Sequence, residues 1–440
     1  MLNYIWLALT LGAVLLAGAT GKMKLLTDGA LDSAKASVTI ALGLIGIMAL
    51  WLGIMRLAEK SGFVLLLARA IRPLMRRLFP EVPPEHPAMG AMLMNIAANM
   101  LGLGNAATAL GLRAMTDLEK LNKHPGTATN PMCTFLAINT SSVQLIPATA
   151  VAILSSAGSK NPTAIIGTAL FATSCAAVAA VTSVRLLEKL PIFRVRAESL
   201  EPSAQNADET GAIEEAHPPA ALRWWGAAII VLFVGCFVSW FVIDAFYPGT
   251  FGRPVATDMG SSAAARIIGA VSVMAIPFFL AFFPLYAALR GVKVYEEFVV
   301  GAKEGFNVAV RIIPYLVAIL VAVGMFRAAG GIEIISAALA PLFDRIGFST
   351  ELLPIVLVRP LSGSATTGLF AELVKTVGPD SIIARTAGTI LGSTETTFYV
   401  LAVYFGSVAI RRTRHAVLAG LIADLTGVIV SVAICRVVFG

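Results

Sequence analysis

The sequence predicts an all-α polytopic membrane protein, with about nine spans plus two re-entrant hairpins arranged as two inverted-topology repeats. Three observations predict it. Of 440 residues, 57% are hydrophobic and only 13% are charged, about half the charged share of an ordinary soluble domain, and the mean hydropathy is +0.83. Apolar runs of about 18 residues or more recur along the chain, each long enough for a helix to cross the hydrocarbon. The net charge of +7 comes largely from Lys and Arg at the ends of these runs rather than on one basic face. It therefore reads as membrane orientation, with no nucleic-acid partner.

In chain order, the runs at 3–20, 36–57, 162–187, 222–247, 262–289, 305–327 and 414–438 are predicted spans. The stretches 129–157 and 382–409 are long enough but carry polar clusters, and are read as broken spans. The first run could be a signal peptide, since Ala17-Gly18-Ala19 resembles a cleavage site. Met1-Leu2-Asn3 has no basic residue, however, so it is read as a retained span.

Residues 188–221 are charged, contain proline and are poor in large apolar side chains. They read as a solvated linker between a first membrane half, 1–187, and a second, 222–440. Arg185, Lys189, Arg194, Arg196 and Arg223 crowd the linker's ends and place it in the cytoplasm of a bacterial inner (cytoplasmic) membrane. The N-terminus is then cytoplasmic, the loop "YPGTFGRPVATDMGSS" is outside, and the C-terminus is outside. Lys22, Lys24 and Lys35 fall outside in this scheme, against the bias.

The halves share an order of elements. "GIMRLAEKSGFVLLLARAIRPLMRRLF" (53–79) parallels "GMFRAAGGIEIISAALAPLFDRIGF" (324–348), "GNAATALGL" (104–112) parallels "SGSATTGLF" (362–370), and "INTSSVQL" (138–145) parallels "GSTETTFY" (392–399). The first amphipathic copy carries Arg56, Lys60, Arg69, Arg72, Arg76 and Arg77. The second has Arg327 and Arg345 against Glu333 and Asp344. By the positive-inside bias the copies face opposite sides, an arrangement used for alternating access.

Each half has two polar interruptions. In "MNIAANMLGLGNAATALGLRAM" (94–115), Asn95 and Asn99 share a helical face and "GLGN" breaks the helix. Too short to cross twice, it reads as a re-entrant hairpin, which needs protein or a watery cavity around it. "RPLSGSATTGLFAELVK" (359–375) is its counterpart, with Arg359, Ser362, Ser364, Thr366 and Thr367 at the tip. The second interruptions are "NTSSVQ" (139–144) and "STETT" (393–397). Any one Ser or Thr reads best as bonding back to its own helix, and Asn as helix glue. Four clusters at matched positions instead favour a shared polar cavity.

Glu395 is the sharpest single residue. A carboxylate inside a span costs roughly 2.5–3.5 kcal/mol unless paired or hydrated, which makes it a functional candidate by default. It could bind a cation, carry a coupling proton or bond a polar substrate, or it could simply pair with Arg359. Asp424 is a second intramembrane carboxylate, for ion coupling or for helix packing. His415, beside Arg414 at a span end, reads as interfacial rather than as a proton relay. Cys133, Cys175, Cys236 and Cys435 stand singly and read as packing residues, with no metal spacing among His, Cys, Asp and Glu. No hydrolase motif is present, so an enzyme is not expected.

These stretches carry a resemblance. "NIAANMLGLGNAATALGLRAM" resembles the signature of the spore maturation protein A family. The long stretch "RPLSGSATTGLFAELVKTVGPDSIIARTAGTILGSTETTFYVLAVYFGSVAIRRTRHAVLAGLIADLTG" resembles the spore maturation protein B family. The chain looks like the two fused head to tail. Both families carry the nucleoside recognition, or gate, domain, which is similar to part of the concentrative nucleoside transporters. The resemblance implies a polar binding role for Asn95, Asn99, Asn105, Thr108, Asn139, Ser141, Gln144, Ser362, Ser364, Thr366, Ser393, Glu395 and Thr396; the residue reading adds Arg359, with Asp424 beside Glu395 as ion-coupling groups.

The function expected is a secondary-transporter-like carrier for a small polar solute, nucleoside-like or another metabolite, without a cofactor and coupled to H+ or Na+. The alternatives are a non-transporting partner in envelope, cell-wall or spore maturation, and a channel. Lipid and a second copy, as a homodimer, are the other expected partners.

Overall fold

The structure is a computed structural model and describes residues 2–193, 222–247, 263–331, 334 and 348–440. Helices make up most of the described residues, with no strand among them; one isolated bridge joins Thr127 to Arg412. Most of the predicted linker 188–221, nearly all of the loop 247–262 and most of the second amphipathic copy, 324–348, lie outside the described residues.

Among the described residues, five helices are long and apolar enough to cross a membrane. They are α2 (Met23–Lys60), α8 (Ile165–Leu187), α9 (Trp224–Phe246), α10 (Ala263–Leu289) and the C-terminal α16 (Ala416–Phe439). Apolar stretches also occur in α1 (Leu2–Ala19) and in α11 (Val294–Ala328). α9 is almost wholly exposed, with Trp224, Val231 and Leu232 pointing away from the protein. In water that face would be costly, whereas in lipid it is at home. The chain is a multi-pass membrane protein.

Two bounds differ from expectation. The span predicted at 36–57 belongs to α2, which starts at Met23, and the span predicted at 305–327 belongs to α11, which starts at Val294. Polarity suggested loops at 23–35 and 294–304, but neither contains a proline, and tertiary packing overrides polarity there. α2 and α11 pack along their length. As the contact moves along α2 from Gly29 through Met48 to Arg56, it moves back along α11 from Gly324 through Gly305 to Glu297. The two helices therefore run antiparallel. A Cβ on Gly305 would lie 2.5 Å from the Met48 carbonyl oxygen, so glycine is what lets these backbones meet. Arg56 Nε donates to Glu297 Oε2 at 3.1 Å at one end of the seam.

The broken helices fall where the polar clusters do. In the first half, α4 (Pro87–Met100) and α5 (Gly104–Glu119) are separated by a turn with Gly102 at φ +74°, in the left-handed region that favours glycine. α6 (Asn130–Ser141) and α7 (Ala148–Ser156) are separated by 142–147, which ends in Pro147. In the second half, α12 (Leu353–Val358) and α13 (Gly363–Val377) form one pair, and α14 (Ile382–Ser393) and α15 (Thr397–Ser407) the other. Caps fix the starts. Pro131 follows Thr129, whose hydroxyl accepts from Met132 N, and Ser381 accepts from Ala384 N. α3 (Phe63–Leu78) carries Arg69, Arg72, Arg76 and Arg77 of the first amphipathic copy, and Arg72 reaches Glu85 at 3.4 Å.

The two interrupted helices cross. Ala128 N donates to Arg412 O at 3.0 Å, Glu395 N to Thr140 O at 2.7 Å, and Ser159 Oγ to Asp380 Oδ1 at 2.7 Å. Going forward through α6 and α7 thus means going backward through α15 and α14. α8 and α16 pack against each other and flank the crossing.

One end of the bundle is basic. There Arg414 donates to Phe193 O at 2.8 Å and to Ala128 O at 3.0 Å, and Arg185 donates to Leu78 O at 2.7 Å. His415 is buried beside them, its ring 5.8 Å from that of Phe193. Burial and the Arg414 charge push its imidazole down to about 4. At the other end the Asp380 carboxyl is lowered: burial raises it, but hydrogen bonds from Ser159 and the Lys160 amide, and the Arg385 charge, more than offset that.

Candidate functional site

The breaks in the four interrupted pairs are held by backbone. Leu145 N, after the α6 break, donates to Met100 O at the end of α4 at 3.0 Å. Phe398 N, after the α14 break, donates to Pro360 O beside α12 at 2.9 Å. Each half thus ties its second interruption to its first through one amide. The remaining unpaired groups at the breaks are offered to side chains and to a cavity.

That cavity, of about 170 Å³, is lined by Gln144, Pro147, Thr149 and Ala150 from the first half and by Arg359, Gly363, Thr367, Leu391, Gly392 and Glu395 from the second. Gln144 Nε2 donates to Glu395 Oε1 at 2.7 Å. Arg359 is buried, donates through Nη2 to Leu391 O at 2.9 Å, and has no partner at Nε. No ion pair joins Arg359 to Glu395 among the described residues; the pairing considered from sequence is replaced by the Gln144 bond. Gly363 leaves room for Thr396, whose Oγ1 would lie 2.9 Å from a Cβ placed there. A cation, a carboxylate, an amide and a helix start therefore meet in one small space, which can hold a polar solute by charge and hydrogen bonding.

A family model described as "Gate: Nucleoside recognition" matches residues 41–186 and 309–411, more than half of the chain. The chain belongs to the Gate, nucleoside recognition, family. Two curated relatives from Bacillus subtilis (strain 168) are similar to it. Spore maturation protein A is 42% identical over 181 residues, 41% of this chain and 92% of the relative. Spore maturation protein B is 45% identical over 175 residues, 40% of this chain and 98% of the relative. The chain is thus similar to both types, each over about two fifths of its length. No solved structure matches. Gln144, Arg359, Thr367 and Glu395 all fall within the Gate segments, whereas Asp424 and His415 fall beyond them.

The other residues singled out from sequence divide into groups. Asn95, Asn99 and Asn139 join a buried network away from the cavity lining. Asn95 Nδ2 donates to Ala107 O at 2.7 Å and to Tyr404 Oη at 3.2 Å, Asn99 Nδ2 donates to Asn139 Oδ1 at 2.8 Å, and Tyr404 Oη donates to Asn139 Oδ1 at 3.4 Å. Tyr404 was not foreseen; its only signal is a hydroxyl inside the apolar run of α15. Thr108 lies on α5 outside the cavity lining, and the side chain of Asn105 lies outside the described residues.

Several hydroxyls bond to their own helices. Ser141 Oγ donates to Ile138 O, Ser393 Oγ to Ile390 O and Thr366 Oγ1 to Ser362 O. Ser362 caps α13 by accepting from Ala365 N and lies 3.4 Å from Ser364 Oγ. Asp424 Oδ2 accepts from Thr397 Oγ1 at 2.5 Å, so this carboxylate holds the start of α15 from behind rather than lining the cavity. Tyr399 is exposed on the bundle's outside. Thr149 and Thr367, which do line the cavity, were missed as site residues. Thr367 sits one position past Thr366 on the same helix turn, where sequence alone does not tell inward from sideways.

Proposed function

We propose that the chain is a carrier that moves a small polar solute across the membrane by alternating access, with coupling to H+ or Na+ through Glu395. The observation that carries this reading is the crossing of two interrupted helices, antiparallel, at a cavity lined from both halves and holding Arg359, Gln144 and Glu395. Homologous elements that pack antiparallel are what inverted-topology repeats produce, and broken helices around a shared polar site are how such repeats serve transport. The antiparallel pairing of α2 with α11 supports the same inversion.

In this reading the nine crossings are α1, α2, α6 with α7, α8, α9, α10, α11, α14 with α15, and α16, and the pairs α4–α5 and α12–α13 are re-entrant. The basic end with Arg185 and Arg414 faces the cytoplasm, which leaves the C-terminus outside. Repeats 1–187 and 222–440 rock against each other around the cavity, and Gln144 lets go of Glu395 when an ion or a solute takes its place. The exposed face of α9 meets lipid or a second copy.

Counterflow in proteoliposomes tests the reading, with a panel of nucleosides, amino acids, dipeptides and carboxylates as probes. A carrier accelerates uptake of labelled solute when the same solute is trapped inside, and Glu395→Gln abolishes that acceleration. Flux without acceleration would make the protein a channel. The relatives' names mention spore maturation, and a second reading is a non-transporting partner in that process; a panel that gives no flux, with cavity variants silent in cells, would select it.

A further inference from the structure

Resting on the cavity being the transport site, we infer that the solute is a small zwitterion of amino-acid size, its carboxylate on Arg359 and its ammonium on Glu395. Arg359 is 6% exposed and lines the cavity, yet its identified protein bond is to one carbonyl and its Nε has no partner. A guanidinium has five donors, and although the charges of Glu395 and Asp424 offset that of Arg359, buried donors without acceptors are costly. The second positive feature beside it is the start of α13, a helix of 15 residues whose first residue, Gly363, lines the same cavity. Guanidinium and helix start together form a receptor for a carboxylate.

Glu395 supplies the opposite pole. One carboxylate oxygen accepts from Gln144, and the side chain lines the cavity without meeting Arg359. Opposite charges that share a small cavity and do not pair with each other leave room for one solute that pairs with both. An anion alone would face Glu395 and a cation alone would face Arg359, each at a cost that a zwitterion avoids.

Size and lining narrow the class. The cavity of about 170 Å³ is close to the roughly 150 Å³ that accepts benzene in a protein interior. An amino acid with a short side chain fits within that space, whereas a nucleoside, with both a base and a ribose, would extend through the cavity's open side. Pro147, Ala150 and Leu391 give the remainder a small apolar wall, suited to a methyl or hydroxymethyl side chain.

The test uses the full chain purified in detergent and three near-isosteres: alanine, propionate without the amine, and ethylamine without the carboxylate. Ligand-dependent thermal midpoints give their affinities, with uridine as a fourth probe. Alanine should bind at least about tenfold more tightly than propionate or ethylamine. Glu395→Gln should weaken alanine by about ten- to a hundredfold while leaving propionate no weaker, and Arg359→Lys should weaken alanine and propionate together. Because the isostere comparison needs only the native chain, it decides the matter even if an Arg359 variant does not fold. Equal affinities for alanine and propionate, stabilisation by uridine alone, or no stabilisation by any probe would each overturn the zwitterion. Alanine binding with no counterflow of labelled alanine would keep the zwitterion site and sink the carrier reading instead.

Discussion

The breaks at 101–103 and 359–362 are built alike in backbone and differently in side chains. Both receive an amide from the neighbouring interruption, Leu145 N in one half and Phe398 N in the other. In the first half the polar groups nearby are neutral and bond to one another, Asn95 to Tyr404 and Asn99 to Asn139. In the second half they are Arg359 and Glu395, and they look into a cavity. Under the proposed function, one break serves as a clamp and the other as a receptor. A matched backbone therefore does not imply a matched role.

The sharpest way to break the comparison is Glu395→Gln. Solute exchange in proteoliposomes should fall roughly ten- to a hundredfold, the worth of a charge-assisted contact, while the ligand-free thermal midpoint moves little because Gln144 still has an amide to bond. A large fall in midpoint would make Glu395 part of the clamp instead.

Asn139→Leu should do the reverse. It strands the donors of Asn99 and Tyr404 and should cost about 1–3 kcal/mol, nearer the lower figure if membrane helices find other partners; exchange per folded molecule should stay within about threefold. Tyr404→Phe is the milder version, with an expected cost of about 0.5–1.5 kcal/mol. Chemical denaturation in mixed micelles measures both.

The two ends of the bundle offer a pH comparison. His415 is pushed down to about 4 by burial and by Arg414, from an ordinary value of about 6.5. Between those values the unfolded chain binds the proton and the folded chain does not. Its contribution is therefore present above about pH 6.5 and is lost as pH falls toward 4. The lowered Asp380 carboxyl at the other end acts in the same direction, but only as pH falls through the carboxylate range. Midpoints read from pH 7 to pH 4.5 should decline, and His415→Phe should flatten the upper part of that decline. An unchanged slope would assign the whole effect to carboxylates.

Much of the fold was legible. Gly102 and the polar clusters around Asn139, Ser362 and Glu395 mark the helix breaks, because glycine takes the left-handed turn there and the freed backbone groups need polar partners. The bundle's apolar helices were legible from length. What could not be read was direction around a helix axis. "SATT" does not tell that Thr367 lines the cavity and Thr366 does not, since both hydroxyls bond back, to Gly363 O and to Ser362 O. Nor does an Asp in an apolar run tell that Asp424 accepts from Thr397 and stands outside the cavity lining. Both depend on neighbours hundreds of residues away in the chain or on the far side of a helix. The extension of α2 back to Met23 was hidden for the same reason, since its support at Gly29 comes from Gly324.

The long seam between α2 and α11 has a consequence for how the protein is made. α2 emerges from the ribosome more than 200 residues before α11, so at roughly 5–20 residues per second it spends on the order of ten to fifty seconds in the membrane without its mate. During that interval the narrow face that later receives Gly301 and Gly305 is open to whatever helix passes. Biogenesis of this chain therefore includes a waiting period in which an insertase, or a neighbouring nascent copy, has first access to the surface that α11 finally closes.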